Sequence, residues 1–350
     1  DGTRLQGRQI VVAAGSRAVL PPVPGIDSSK VYTNDNVMRL DELPARMVVI
    51  GGGVIAAEFS HVFSAFGTEV TQLNRSSRLL RGVDEEVVAR FEEAASKQWN
   101  IVKDASLSEI RENADGSVTV VAKRTSENGE ELLEIPADAV LVATGRRPNT
   151  DTLNAKNYFD VQDGGQLSVD KYQRVLYNGA PVPGVYALGD VSSRYQLKHV
   201  ANHEARVVQH NLSHPEDLRA SDHRYVPGAV FSNPQIAVVG MTEEQARQAA
   251  EREGFEITVK AQNFGDTAYG WAMEDKIGLC KLIARKDNGE LLGAHLVGEE
   301  SSVLIQPLLQ AMSFGMDART LARGQYWIHP ALTEIVENAL LGLEFDEPAN

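Results

Sequence analysis

The feature that most constrains this chain is the segment 51–56, with the sequence GGGVIA. It overlaps the run MVVIGGG over 47–53, which predicts a buried strand, and a second strand is predicted over 69–74. The residues between them predict a helix over 54–67, because apolar side chains recur at helical spacing and Gly67 can end the helix. This order predicts a parallel βαβ unit in an open twisted sheet. The apolar stripe of the helix consists of Ile55, Phe59, Val62, Phe63 and Phe66.

The glycines match the form G-x-G-x-x-A, which binds the pyrophosphate of a dinucleotide when it links a strand to a helix. Gly51 permits the tight turn, Gly53 lets the backbone approach the phosphates, and Ala56 lets the helix pack closely on the strand. The start of the helix adds free N–H groups and a partial positive charge. A plain glycine turn is the alternative, but the βαβ context favours a dinucleotide site.

The end of the second predicted strand indicates which dinucleotide is bound. Asn74 stands where an acidic residue would accept a hydrogen bond from the ribose 2′-OH and favour NADH. It is followed by Arg75, Arg78 and Arg81, and guanidinium groups suit a 2′-phosphate. We therefore expect NADPH, with Arg75 as the first contact and Arg78 or Arg81 as the second. The alternative is a basic loop that only faces solvent.

Two similar segments indicate that one domain is inserted into another. Short apolar runs over 8–15 and 139–144 end in small residues. Gly15 closes the first run and Gly145 follows the second. The proline cluster over 21–24 cannot lie inside a sheet or helix, so it marks a crossing between domains. The expected domains are residues 1–26, 27–146, 147–225 and 226–350.

The last third of the chain predicts an α+β domain, since its strands and helices follow one another without βαβ alternation. A strand is predicted over 230–240, and Thr242 with Gln245 forms a capping box that starts a helix. The turn residues 287–290 predict an antiparallel hairpin between strands over 277–286 and 291–298, and the segment 276–283 alternates like a half-buried strand. A last helix is predicted to begin at Pro330, with its apolar side chains on one face.

Composition excludes several classes of protein. The net charge is −14 without a basic stripe, which disfavours nucleic acid as a partner, and no apolar run approaches the roughly 18 residues of a membrane span. Cys280 is the only cysteine, so a disulfide framework and cysteine–metal sites are excluded, and we expect no metal. Its strand-like surroundings favour a packed thiol over a reactive one. With no signal-peptide pattern at the start, we expect a cytoplasmic protein with neither nucleic-acid nor membrane partners.

The ordered set of motifs resembles the class I pyridine nucleotide–disulfide oxidoreductases. After the first small-residue strand come GGGVIAAE over 51–58, ATGRRPN over 143–149, LGD over 188–190 and HPALTE over 329–334. The resemblance extends over essentially the whole chain. It implies an α/β fold in which a Rossmann-like NAD(P)-binding domain is inserted in a partial FAD-binding domain and is followed by an α+β dimerisation domain.

The resemblance also implies a site for FAD. Asp190 would bind the ribityl or phosphate part of FAD, and the backbone over 198–201 would lie near the flavin ring. Glu58 would lie near the flavin, where relatives pair this residue with a lysine. Taken alone, a Gly-Asp pair after a strand is a good turn and Glu58 is a solvated acid. The candidate FAD-binding residues besides Glu58 are Gly15, Gly145, Gly189, Asp190, His199, Val200 and Ala201.

His329 and Glu334 are the candidate acid–base pair. A carboxylate on one imidazole nitrogen would fix the tautomer of His329 and leave the other nitrogen to carry a proton to a thiolate. Taken alone, a histidine before a helix is more often a cap. In the family this pair serves the active site of the opposite subunit, which implies a homodimer through the C-terminal domain.

The segments 199–212 and 325–343 most resemble family members that reduce mycothiol disulfide (mycothione), a low-molecular-weight disulfide. In the family, electrons pass from NADPH to FAD, then to a Cys-x-x-x-x-Cys disulfide and the substrate. This sequence holds neither the FAD glycine fingerprint nor that cysteine pair. We therefore expect a truncated chain that binds NADPH but is inactive alone and can lack FAD. Dihydrolipoamide dehydrogenase is the alternative enzyme, and a non-catalytic NADP-binding and dimerising fragment is the alternative of another class.

Overall fold

The structure is a computed structural model that describes residues 2–126 and 129–346. Its contacts divide the chain into two compact units, and each is described by itself below. Unit one consists of residues 1–19 and 145–223, and unit two consists of residues 20–144 and 224–350. Residue 1 and residues 347–350, which belong to the first and last expected domains, lie outside the described residues.

Strands and α-helices alternate over residues 46–102, and the last five strands pair in the antiparallel direction. The strands are β1 Ile10–Val12, β2 Ser16–Ala18, β3 Val31–Tyr32, β4 Arg46–Ile50, β5 Glu69–Leu73, β6 Asn100–Val102, β7 Ala105–Glu112, β8 Val118–Ser126, β9 Gly129–Ala137, β10 Ala139–Val142, β11 Arg146–Pro148, β12 Arg174–Tyr177, β13 Ala180–Ala187, β14 Gly228–Val230, β15 Gln235–Gly240, β16 Ile257–Asn263, β17 Leu279–Arg285 and β18 Leu291–Gly298. The helices are α1 Val54–Ala65, α2 Glu85–Ala95, α3 Lys198–Ser213, α4 Glu243–Glu253, α5 Ala268–Ala272, α6 Ser301–Leu304, α7 Gln306–Phe314, α8 Ala318–Arg323 and α9 Glu334–Leu341.

Unit one holds two small sheets and the helix α3. Strand β1 pairs in parallel with β13, with Val11 opposite Tyr186, and β12 pairs with β13 in the antiparallel direction. The strands β2 and β11 form a separate antiparallel pair. The core of this unit includes Leu167, Val175 and Ala187.

Unit two begins with a parallel sheet in the order β3-β10-β4-β5-β6, which confirms the predicted βαβ unit β4-α1-β5. Alternate side chains of β4 point to opposite faces, as the two-residue period of a strand requires. Met47 and Val49 pack in one cluster with α1 and α2, while Val48 and Ile50 pack in another with the antiparallel sheet β7-β8-β9. The glycine turn between β4 and α1 therefore stands on a sheet that is covered on both sides.

The buried face of α1 differs from the predicted apolar stripe. The fully covered side chains are small, apart from Phe63, whereas Val62 is 38% exposed and Phe66 is 71% exposed. Small side chains let the helix lie close to the sheet where it leaves the glycine turn. The larger side chains of Val62 and Phe66 then lie at the edge of this contact, where they are partly or largely exposed. The buried residues of α1 are Ala56, Ala57, Ser60 and Phe63.

The C-terminal part of unit two is an antiparallel sheet in the order β14-β15-β18-β17-β16, with α6 to α9 packed on one face. The predicted hairpin β17–β18 and the capping box of Thr242 and Gln245 at the start of α4 are confirmed. The other face of the sheet shares a core with the nucleotide-binding part, in which Phe91 and Trp99 cluster with Ile236 and Val297. Because both faces are covered, the prediction that β17 is half-buried is wrong.

Two predicted boundaries in this part are also wrong. The strand predicted over 230–240 is two strands, β14 and β15, joined by a turn that is closed by a hydrogen bond from Ser232 Oγ to the carbonyl of Pro234. Pro234 has no N–H to continue a sheet ladder, so the chain turns there. The last helix begins at Glu334 rather than at Pro330. The residues before it form turns closed by hydrogen bonds between residues three apart, such as the bond from the N–H of Glu334 to the carbonyl of Ala331.

Candidate functional site

The turn between β4 and α1 lies tightly against neighbouring groups. Gly51 has φ +142°, and a Cβ there would lie 2.3 Å from the carbonyl oxygen of Ala143. A Cβ on Gly52 would lie 2.3 Å from Oδ1 of Asn74. Gly51 therefore requires glycine, and a side chain at position 52 would displace Asn74. Around Gly53, by contrast, the described residues place nothing within 4 Å of such a Cβ, so this side of the turn is open.

The first turn of α1 offers backbone N–H groups to an anion. Gly53 is the N-cap residue, and no side chain caps this end of the twelve-residue helix. Ala56 is fully buried against the sheet, so the backbone comes close to the strand ends. Free N–H groups at a helix start bind phosphate. The structure brings Gly51, Gly53 and Ala56 together at this turn, which fits the pyrophosphate of a dinucleotide.

The loop over 75–83, here called the arginine loop, is bonded to the glycine turn. The N–H of Leu80 donates to the carbonyl of Gly52 across 2.7 Å. The buried side-chain amide of Asn74 donates to the carbonyls of Ser76 at 2.8 Å and Arg78 at 3.0 Å. Asn74 therefore shapes the loop as well as standing at the position of the NAD-selecting acid. The sequence did not indicate this second role.

The three loop arginines keep their charges available. Arg75 and Arg81 are exposed and Arg78 is half-buried. Arg78 donates to the carbonyl oxygen of Arg81 at 3.0 Å. In the described part of the chain, no acidic side chain forms an ion pair with any of the three guanidinium groups. The loop is therefore a cationic surface beside the glycine turn, and it suits a second phosphate.

Glu58 lies on α1 and is bonded to the backbone of the C-terminal part. Its Oε1 accepts a hydrogen bond from the N–H of Phe231 at 2.9 Å. Burial raises the pKa of Glu58, and the bond from Phe231 opposes that shift. A lysine partner is known only from the family resemblance, so the assignment of Glu58 to the flavin site stays a prediction.

In unit one, Asp190 lies at the end of a chain of hydrogen bonds. Arg146 Nε donates to Ser16 Oγ at 2.8 Å, and Ser16 Oγ donates to Asp190 Oδ2 at 2.6 Å. Within the described residues Asp190 Oδ1 accepts no hydrogen bond, so it is free for a hydroxyl donor. The hydrogen bonds from Arg146 to Ser16 and from Ser16 to Oδ2 fix the orientation of the Asp190 carboxylate. Sequence reasoning did not single out Ser16 or Arg146, which are brought to Asp190 by the pairing of β2 with β11.

The turn before Asp190 is held by a buried carboxylate. Gly189 has φ +72°, and its N–H donates to Glu204 Oε2 at 2.7 Å. Glu204 is 1% exposed, and its Oε1 lies 3.0 Å from Nε2 of His223. Sequence reasoning also missed this residue. It lies fifteen positions from Gly189 along the chain, and no motif links the two.

The remaining candidate residues of unit one lie at chain reversals and at a helix start. Gly15 has φ +68° and Gly145 has φ +139°, conformations that glycine adopts readily. His199, Val200 and Ala201 lie in the first turn of α3, whose start has no side-chain cap. Val200 is buried and His199 is exposed. An uncapped helix start next to the Asp190 turn fits a polar cofactor such as FAD.

His329 and Glu334 form the predicted pair. His329 Nδ1 lies 2.7 Å from Glu334 Oε1, and the imidazole is 67% exposed while the carboxylate group is 18% exposed. With Nδ1–H donating to the carboxylate, Nε2 is left to accept or release a proton. No described residue bonds to Nε2. The imidazole also borders a cavity of about 510 Å³, which is lined by Gly265, Asp266, Thr267, Ala268, Tyr269, Trp271, Ala272, His329 and Pro330.

Cys280 is not part of any of these sites. The thiol is fully buried in the C-terminal sheet, and burial raises its pKa, so the reactive thiolate is suppressed. This confirms the prediction of a packed thiol.

Among the described residues, no group of three or more His, Cys, Asp or Glu side chains is placed to hold a metal ion. Within the same residues, no helix is both long and apolar enough to cross a membrane.

The fold and the sequence comparisons together define a flavoprotein oxidoreductase that takes electrons from a nicotinamide nucleotide. A sequence model of the pyridine nucleotide-disulphide oxidoreductases matches residues 1–205, and a model of their dimerisation domain matches residues 226–340. The chain belongs to this family. Its members are enzymes that use FAD and NAD(P)H.

Individual relatives cover nearly the whole chain. It is 51% identical to the mycothione reductase of Mycobacterium tuberculosis over 98% of this chain and 72% of that one. It is 32% identical to a dihydrolipoyl dehydrogenase of Synechocystis over 96% of this chain and 70% of that one. Among solved structures, the HOCl-induced flavoprotein disulfide reductase RclA of Escherichia coli matches with a TM-score of 0.83 and 29% identity, over 97% of this chain and 74% of that one.

Proposed function

We propose that this chain is the NADPH-binding, flavin-contacting and dimerising part of an enzyme that reduces mycothiol disulfide. The observation that carries the proposal is the bond between His329 Nδ1 and Glu334 Oε1 at 2.7 Å, which leaves Nε2 exposed. An imidazole held in this way can give a proton to a thiolate as a disulfide opens. The 51% identity to a mycothione reductase supports mycothiol disulfide as the substrate.

NADPH is the proposed electron donor. The N–H groups at the start of α1 bind its pyrophosphate, and Gly51 and Gly53 let the phosphates approach the backbone. The arginine loop binds the 2′-phosphate, with Arg75 as the first contact and Arg78 or Arg81 as the second. The bond from Leu80 to Gly52 supports this arrangement, because it sets the spacing between the two phosphate sites.

FAD is the proposed second cofactor, and it passes the electron pair from the nicotinamide to the disulfide when it is bound. Asp190 would accept a hydrogen bond from the ribityl or phosphate part of FAD. The start of α3, at His199, Val200 and Ala201, would lie near the flavin ring and offer it backbone N–H groups. Gly15, Gly145 and Gly189 allow the close turns around it.

The acid–base residues act on the substrate disulfide. Glu334 accepts from Nδ1 and stabilises the positive charge that His329 carries when Nε2 is protonated. Nε2 then gives its proton to the departing thiolate, so that a neutral thiol leaves. The match of residues 226–340 to the family dimerisation domain supports a homodimer in which His329 serves the opposite subunit. The redox sulfurs are not among these 350 residues, since their one cysteine is buried.

The test is to compare turnover by the protein from the complete reading frame and by the 350-residue chain. With NADPH, the complete protein should reduce mycothiol disulfide about 100-fold more efficiently than glutathione disulfide or lipoamide. A preference for NADH and lipoamide would instead identify a dihydrolipoamide dehydrogenase. A complete protein that binds NADPH, holds no flavin and reduces no disulfide would be a non-catalytic binding module.

A further inference from the structure

The ammonium group of Lys281 lies inside unit two, where helices α2 and α4 begin. Its side chain is 6% exposed, and Nζ lies 2.7 Å from Glu243, 3.0 Å from Asp84 and 3.2 Å from Glu86. Burial opposes the charge, but the hydrogen bonds to Glu243 and Asp84 raise the pKa of Lys281 above its ordinary value. The lysine is therefore charged, and it neutralises acidic groups that would otherwise repel one another.

Asp84 connects this cluster to two helices. It is 3% exposed, and its Oδ1 accepts from Lys281 and, as the N-cap of α2, from the N–H of Glu86 at 3.2 Å. Its Oδ2 accepts from the N–H of Glu243 at 3.1 Å, at the start of α4. A single carboxylate therefore ties the start of α2 to β17 of the C-terminal sheet and to the start of α4.

Asp84 is also the residue that follows the arginine loop. Within the loop, Val83 N–H donates to Leu80 at 2.8 Å, and Leu80 N–H donates to Gly52 at 2.7 Å. Leu79 N–H donates to Glu92 Oε1 on α2 at 2.8 Å. The loop is thus held between the glycine turn on one side and α2 on the other. A shift of α2 would move the loop relative to the glycine turn.

We propose that Lys281 is a positioning residue for nucleotide selectivity. It holds Asp84 and the start of α2, and through them it sets the distance of the arginine loop from the pyrophosphate site. The inference rests on the proposed function, in which the loop binds the 2′-phosphate of NADPH. The pyrophosphate contacts come from the start of α1, whose position depends on the parallel sheet. Loss of Lys281 should therefore weaken the 2′-phosphate contact more than the pyrophosphate contact.

The experiment is calorimetric titration of the 350-residue chain with 2′-phospho-ADP-ribose and with ADP-ribose. Lys281→Met removes the central charge, and Asp84→Asn keeps an N-cap oxygen while weakening the link to Lys281. In both variants the Kd for 2′-phospho-ADP-ribose should rise about fivefold or more, as expected when a charge-assisted hydrogen bond is displaced. The Kd for ADP-ribose should change less than about twofold. The control is Lys286→Met, which removes a half-buried lysine paired with Glu256 at 3.2 Å and should leave both values unchanged.

Circular dichroism and thermal unfolding identify the folded variants, and Asp84→Asn decides the outcome if Lys281→Met folds poorly. A folded variant whose ratio of the two Kd values equals that of the wild-type chain would overturn the inference, as would an equal weakening of both ligands. Arg75→Ala separates this result from a failure of the proposed function. If Arg75→Ala also leaves the ratio unchanged, the loop does not bind the 2′-phosphate and both proposals fail. If Arg75→Ala lowers selectivity and the Lys281 and Asp84 variants do not, only the inference on Lys281 fails.

Discussion

The N–H of Leu80 donates to the carbonyl oxygen of Gly52 across 2.7 Å, so the arginine loop is bonded to the glycine turn. The two elements come from the ends of neighbouring parallel strands, β4 and β5. Asn74 strengthens the arrangement, since its amide group donates to two loop carbonyls and its Oδ1 lies under Gly52. The selectivity of the site for its nucleotide therefore depends on backbone bonds as well as on the arginines.

Arg75→Ala should weaken NADPH binding to the 350-residue chain and leave NADH binding unchanged. A hydrogen bond to a charged group contributes about 1.5–3 kcal/mol, so the Kd for NADPH should rise about tenfold or more. Fluorescence titration with both nucleotides measures the effect. Arg39→Ala, which removes an exposed arginine outside the loop, serves as the control. Equal affinity of Arg75→Ala and wild type for NADPH would show that Arg75 is not a phosphate contact.

Asn74→Asp should disorganise the arginine loop. A carboxylate cannot donate to the carbonyls of Ser76 and Arg78, and its charge repels both oxygens. We expect a loss of about 1–3 kcal/mol in the free energy of unfolding and a lower preference for NADPH over NADH. Thermal unfolding and nucleotide titration measure the two effects. Asn100→Asp, on the neighbouring strand β6 and exposed, is the matched control; an unchanged nucleotide preference in Asn74→Asp would contradict the assigned role.

Glu334→Gln should slow disulfide reduction by the protein from the complete reading frame. The glutamine oxygen can still accept from His329 Nδ1, so the ring stays oriented, but the charge that stabilises the imidazolium is lost. General acid–base catalysis contributes about 10²–10⁴-fold, and we expect a fall in kcat of at least about tenfold. Steady-state kinetics test this, with Glu337→Gln on the same helix as the control. Wild-type kcat in Glu334→Gln would exclude an acid–base role for the pair.

The Lys281 cluster should make the stability of unit two fall at acid pH. Burial opposes the negative charges of Asp84 and Glu243. Hydrogen bonds from the N–H of Glu243 and from Lys281 nevertheless lower the pKa of Asp84. Hydrogen bonds from Lys281 and Arg247 lower the pKa of Glu243. A carboxyl whose pKa is lowered on folding stabilises the protein above its ordinary pKa, near 4. That contribution is lost as the pH falls through the lower folded value.

The gap in Tm between wild type and Asp84→Asn should therefore be largest near pH 7 and should shrink as the pH drops below about 4. Differential scanning calorimetry across this range measures it. Asp163→Asn, which changes an exposed acid in unit one, should show no such gap at any pH. A gap that widened toward low pH would mean that Asp84 is destabilising in the folded protein.

Cys280 should react with thiol reagents only when the chain unfolds. The thiol is fully buried and burial raises its pKa, so the native protein should label at its rate of opening. In denaturant, one thiol per chain should react at once. The native 350-residue chain should also reduce no disulfide. Rapid labelling of the native chain would contradict the first statement, and disulfide turnover by it would contradict the second.

The parts of the fold that depend on neighbouring residues were predictable from the sequence. The glycine turn, the capping box of Thr242 and Gln245, and the hairpin around residues 287–290 are local patterns, and all three are confirmed. The His329–Glu334 contact was also predictable, because the two residues are five positions apart. The start of the last helix was not predictable, because the backbone groups before Glu334 form hydrogen bonds in turns instead of in an α-helix.

The parts that depend on distant segments were not predictable. The alternation in β17 indicates one solvent face, yet α2 covers that face and its N-cap reaches Lys281 from 197 residues away. Glu204 and Ser16 reach the Asp190 turn in the same way, through packing that no local pattern records. Buried polar groups of this kind are settled by tertiary structure, which overrides the strand period.

The core shared by Phe91, Trp99, Ile236 and Val297 also has a consequence for synthesis of the chain. The nucleotide-binding part is synthesised before β15, β17 and β18, which begin at Gln235, Leu279 and Leu291. Until then, the side of this core that Ile236 and Val297 cover lacks its partners from the C-terminal sheet and is open to solvent. Nascent chains that stop before residue 235 should therefore aggregate or bind chaperones, and protection of this face should begin only when the C-terminal sheet emerges.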